Sequence, residues 1–154
     1  MKSQAPDPAP LDGHLGYLLR TVSNAVSHAF ARKLTSEGVT VAEWALLRVL
    51  YDVPGIAPAA LAARMGMTRG AISKLALRLT GKGLLASRAH PDDGRAQMLE
   101  LTEPGRALVP NLAAIADTND SEFFAALSPV ENATLRKLAQ ALITHHALTG
   151  VAVD

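Results

Sequence analysis

The chain has 154 residues, no cysteine, and 15 Lys/Arg against 14 Asp/Glu, a formal net charge of +1. That length can bury one domain core without disulfides, and the missing thiols exclude cysteine nucleophiles, thiolate metal sites and redox sensing through sulfur. Apolar residues make up 49%, yet no apolar run approaches the roughly 20 residues that cross a bilayer, so a cytoplasmic protein with no membrane partner is expected.

Residues 1–10 hold three prolines and no apolar stretch of the secretory type, and read as a disordered arm. From Leu11 to about Leu34, apolar residues recur at three-and-four spacing (Leu11, Leu15, Leu18, Val22, Val26, Phe30), which predicts an amphipathic helix with Asp12 as its cap. Ser36-Glu37-Gly38 ends it. Thr40, with Glu43 three residues later, has the form of a capping box and opens a helix carrying Trp44, Leu47, Val49 and Leu50. Pro54-Gly55 breaks that helix, and Pro58 opens a short one to Met65.

After a Gly66-Met67 turn, Thr68 caps a helix that turns Ala71, Ile72, Leu75 and Leu79 inward and Arg69, Gly70, Ser73, Lys74 and Arg78 outward. Two helices joined by a tight glycine turn make a helix-turn-helix. Beyond Gly81 and Gly83, Leu84–His90 and Ala96–Thr102 read as strands around the turn Pro91-Asp92-Asp93-Gly94, which puts Arg95 at the tip of a wing. Past Thr102-Glu103-Pro104-Gly105, residues Leu108, Leu112, Ile115, Phe123 and Phe124 suggest a long helix with a polar interruption from Asp117 to Glu122. Ser128-Pro129-Val130-Glu131 opens a last helix through Leu135, Leu138, Leu142 and Ile143 toward Gly150. The expected fold is mainly α with a small β-hairpin wing. Its parts are the arm (1–10), an N-terminal dimerisation helix (11–35), a winged helix-turn-helix (36–105) and C-terminal dimerisation helices (106–150).

Charge follows the same division. Residues 58–106 carry eight Lys/Arg against four acids, a net +4, whereas 107–154 carry two against five, a net −3. A helix for the major groove beside a basic hairpin for the minor groove is a way of reading double-stranded DNA. Arg95 suits a narrow minor groove, where negative potential concentrates, and Asp93 is placed to hold it extended; the bland alternative is a solvated turn arginine. Thr68, Arg69, Gly70, Ser73 and Lys74 lie in the first turns of the expected recognition helix. There, long donors reach guanine edges or phosphates and Gly70 lets the backbone come close. Arg78 and Arg88 fit phosphate contacts.

Outside this region Trp44 has two open roles, stacking on an aromatic ligand or filling the core. His14, Tyr17 and Arg20 on the first helix are suited either to lining a pocket for an anion or to exposed or interchain contacts. His14, His28, His145 and His146 have metal-ligating chemistry, but the adjacent pair diverges by about 100° on a helix, so neither metal nor cofactor is expected. No phosphate loop, His-Glu-x-x-His or Gly-x-Ser-x-Gly is present, which sets catalysis aside. The competing class is a winged-helix protein-interaction module without DNA binding. Apolar helices at both ends carry more greasy surface than a small lobe can cover, which points to a homodimer.

The run from Leu61 to Leu75, then Gly83-Leu84-Leu85-Ala86-Ser87-Arg88, then Pro91 to Thr102, resembles the multiple-antibiotic-resistance regulator (MarR) family. Its most specific part is Asp93-Gly94-Arg95 followed by Leu101-Thr102 ahead of a glycine. The resemblance implies interlocked first and last helices, a pseudo-palindromic operator, repression, and release by a small aromatic or anionic effector bound near the dimerisation helices. Gly94 departs from the family pattern, which often has a second basic residue there.

Overall fold

The computed structural model describes residues 6–150; of the expected N-terminal arm, residues 1–5 lie outside them, and Pro6–Pro10 are exposed and irregular. Leu11–Gly13 forms one 3-10 turn, and helix α1 runs Leu15–Leu34. Asp12 is therefore not the cap of α1. It sits inside the 3-10 turn, His14 takes the N-cap position, and no side chain caps the helix there.

A 3-10 turn at Thr35–Glu37 leads to Gly38, whose φ of 66° is the left-handed geometry that a helix end favours. Helix α2 (Val41–Tyr51) starts with the expected capping box, the Thr40 hydroxyl accepting from the Glu43 amide and the Glu43 carboxylate from the Thr40 amide. Helix α3 (Pro58–Met65) begins on its proline, and Gly66 at φ 64° turns the chain toward α4 (Arg69–Gly81), capped by the Thr68 hydroxyl. Strands β1 (Leu85–Ala89) and β2 (Gln97–Leu101) pair antiparallel, Leu85 opposite Leu101 and Ala89 opposite Gln97. Ile56 adds a bridge to Leu99 through hydrogen bonds of 3.0 and 2.8 Å. One residue carries no periodicity, so this rung had no sequence signal.

Helix α5 spans Glu103–Phe123 and α6 spans Pro129–His145. Pro104 and Gly105 do not precede α5; they form its first turn. The Thr102 hydroxyl accepts the Gly105 amide, and a proline at the second helical position costs no hydrogen bond. The polar stretch Asp117–Glu122 is helical too, because it meets α1. Buried Asn119 donates to the Val26 carbonyl and accepts from Lys33, and Lys33 pairs with Glu122 at 2.7 Å.

The core lies inside the winged helix-turn-helix lobe: Leu46, Leu47 and Leu50 of α2, Leu61 and Met65 of α3, Ile72, Leu75 and Leu79 of α4, Leu85 and Leu99 of the hairpin, and Val109 and Leu112 of α5. Gly105 is what lets α5 close on this lobe. A Cβ there would lie 2.0 Å from the Leu84 carbonyl oxygen, a backbone atom that has no rotamer to retreat into. Gly105→Ala is therefore expected to cost about 3 kcal/mol, the upper range for overpacking, seen as a lower urea midpoint with unchanged helical circular dichroism at zero urea.

Candidate nucleic-acid interface

The expected recognition surface lies on α4. Ile72, Leu75 and Leu79 point into the core, and Arg69, Gly70, Ser73, Lys74 and Arg78 are exposed, as the spacing predicts. Thr68 at its start is occupied locally: its hydroxyl accepts the Ala71 amide at 3.1 Å, which fixes where the helix begins. Among the described residues Arg69, Lys74 and Arg95 have no acidic partner, so three cations face solvent uncompensated.

At the wing tip Asp93 does not hold the Arg95 guanidinium. Its carboxylate accepts the Arg95 backbone N–H at 3.0 Å, its carbonyl accepts the Ala96 N–H, and the Ala96 carbonyl accepts from His90. The acid thus shapes the turn and leaves the arginine side chain free. His90 Nδ1 accepts the Asp92 amide at 3.0 Å and stiffens the same turn. Arg88, on the strand, pairs with Glu100 across the hairpin at 2.7 Å, and Arg78 lies 3.5 Å from Glu43. Both arginines stay about half exposed while sharing their charge within the chain.

Glu43 is the residue whose role the sequence hid. Its pattern marks a surface capping box, yet the side chain is fully buried. One oxygen accepts from the Thr40 amide at 3.0 Å and from Lys82 Nζ at 2.7 Å, and the other faces Arg78. Lys82 also donates to the Gly38 carbonyl at 2.7 Å. Burial pushes the Glu43 carboxyl upward, but the Lys82 hydrogen bond, the Thr40 amide and the charges of Lys82 and Arg78 outweigh it and hold the group below the ordinary carboxylate range. The ion pair thus anchors the C-terminal end of α4 to α2.

The four ligand candidates do not converge within the chain. Trp44 packs edge-on against Phe30, with centroids 6.3 Å apart, as part of the core margin. Phe30 lies ten residues beyond Arg20, about 15 Å along α1. His14, Tyr17 and Arg20 are exposed on the first turns of α1. An open cleft of about 490 Å³ lies between the end of α5 and α6, lined by Asp120, Ser121, Phe124, Asn132, Leu135, Arg136, Ala139 and Gln140, and none of the four reaches it.

Residues 37–96, from the first turn before α2 to the wing tip, match the family model described as MarR family. A putative transcriptional regulatory protein for the hcr operon of Thauera aromatica is 35% identical over 131 residues, covering 84% of this chain and 79% of that protein. This chain belongs to the MarR family. It is a transcriptional regulator, and family members are regulators rather than enzymes. The fold is shared with a mutant E. coli MarR solved with operator DNA (TM-score 0.76, 24% identity, 84% of this chain and 93% of that one). It is shared equally with CouR of Rhodococcus jostii, solved with p-coumaroyl-CoA (TM-score 0.78, 24% identity, 94% and 100%). No helix among the described residues is long and apolar enough to cross a membrane.

Glu43→Gln removes the charge from the buried pair but keeps its shape. Because Lys82 is more than a third exposed and can rehydrate, the expected loss is about 2 kcal/mol, below the usual range for breaking a fully buried pair. A carboxyl held below its ordinary value of 4.5 stabilises the fold fully above that pH and progressively less as pH falls through the lower folded value. Urea unfolding at pH 7 and in the acid range should show the wild type losing this increment on acidification and the Gln variant lacking that part of the dependence.

Proposed function

We propose that this MarR-family regulator is a cytoplasmic homodimeric repressor that sets α4 in the major groove and the β1–β2 wing in the adjacent minor groove of a pseudo-palindromic operator. The observation that carries the reading is the set of unpaired cations, Arg69 and Lys74 on the outward face of α4 and Arg95 at the wing tip. Arg69, Ser73 and Lys74 divide base-edge and phosphate contacts, with Gly70 allowing close approach of the helix. Arg95 enters the minor groove, and the exposed edges of Arg78 and Arg88 meet phosphates while Glu43 and Glu100 hold them.

Two bare apolar faces support the dimer. The first half of α1 leaves Leu15, Leu18, Leu19 and Val22 exposed, and α6 buries none of its residues while exposing Leu135, Leu138, Leu142 and Ile143. A patch of this kind on two helices fits a self-complementary interface. A second protomer brings a second recognition helix and encloses space beside α1, where His14, Tyr17 and Arg20 supply polar contacts to a small aromatic or anionic effector. Such an effector represses DNA binding in proportion to its preference for the dimer that does not fit the operator. The p-coumaroyl-CoA held by CouR has that aromatic and anionic character.

The test is a fluorescence-anisotropy titration of a pool of short palindromic duplexes at two salt concentrations, with and without salicylate. Tight binding that falls steeply with salt and weakens with the acid supports the whole reading; the absence of binding above the non-specific level at low salt overturns it in favour of protein docking. Arg95→Ala should weaken operator binding and reduce the salt slope by about one, with sedimentation still reporting a dimer. Leu138→Glu or Leu142→Glu should instead shift the sedimentation coefficient to that of a monomer.

A further inference from the structure

Leu77 is 75% exposed on the recognition helix. At 100° per residue it lies 200° from both Leu75 and Leu79, which are buried, so it stands on the outward meridian of α4. Ser73 is one turn before it and Lys74 lies beside that residue. Gly70 and Gly81 flank the same line, and a Cβ at Gly81 would meet nothing within 4 Å, so no neighbouring side chain shields the leucine on that side. The remaining large apolar side chains that are exposed among the described residues belong to α1, α6 and the segments adjoining them. Leu77 is therefore outside the apolar surface that the dimer would cover.

A leucine at the centre of a polar, basic helix face loses its water when that face meets a duplex. Base edges in the major groove are mostly donors and acceptors; the one apolar group that projects from them is the C5 methyl of thymine, where cytosine has only a hydrogen. Over a donor or acceptor Leu77 would strip water from a polar atom and return no hydrogen bond, and over the cytosine C5–H it would find no methyl to pack on. We propose that Leu77 is a specificity-determining residue that packs on a thymine methyl in each operator half-site; the inference rests on the DNA-binding reading above and adds to it which base is selected and by which contact.

The experiment selects duplexes from a randomised library with the full-length protein, then resynthesises the enriched duplex with each thymine in turn replaced by deoxyuridine, which removes the methyl and nothing else. Expected are one thymine per half-site at which the replacement weakens wild-type binding roughly fourfold, the worth of about one buried methyl group, and a Leu77→Ala variant that binds thymine and uracil duplexes equally. Alanine is the better helix former, so the variant should retain its melting temperature and its binding to non-selected duplex. If no thymine shows the effect, or if Leu77→Ala keeps the full difference between thymine and uracil, the contact is refuted while the DNA-binding reading stands. A library that yields no enriched sequence overturns both.

Discussion

The buried carboxylate of Glu43 is the constraint on which the winged helix-turn-helix lobe depends. Helix α4 is fixed at both ends. At its start Thr68 does this locally with one hydroxyl-to-amide bond. Its far end closes locally too, on Gly83 at φ 74°, with the Gly83 N–H donating to Thr80 and the Leu84 N–H to Leu79, and a tertiary contact is added to that cap. Lys82, the residue that ends α4, reaches the Glu43 carboxylate and the Gly38 carbonyl together, and Arg78 adds a second positive group near the same oxygen pair. Cations at a helix C-terminus suit the helix dipole, so the arrangement stabilises the end of α4 while fixing it to α2. The cost of burying Glu43 is offset because the same carboxylate also accepts the Thr40 amide.

From that anchored helix the fold extends through two further polar joints. Thr102 accepts the Gly105 amide while its own hydroxyl donates to the Gly83 carbonyl, and its backbone N–H donates to Leu84, so the wing strand, the end of α4 and the start of α5 meet at one residue. At the other end of α5, Asn119 and Glu122 hold α1 through Val26 and Lys33. Helix α5 thus connects the winged lobe to α1, whose first half carries an exposed apolar face.

Much of this was legible in the residues. The caps at Thr40, Thr68 and Ser128, the proline starts at Pro58 and Pro129, and the alternation after Gly83 placed the helices and the wing within a few residues of where they lie. Local chemistry decides these features, so they survive into the fold. Glu43, Asn119 and the Ile56 rung were not legible. Each is set by a neighbour distant in sequence, and neither a capping-box glutamate nor an asparagine in an acidic stretch announces that it will be buried.

The sequence by itself determined the winged helix-turn-helix and the residues that face outward on α4, because capping, helical period and turn chemistry act within a few residues. Only the tertiary structure decided which cations remain free. Among the described residues the side chains of Arg69, Lys74 and Arg95 form no ion pair, whereas Arg78, Lys82 and Arg88 find Glu43 and Glu100 across other elements. Composition counts all six as equal positive charges. Pairing depends on distances through space, and folding alone brings those partners together.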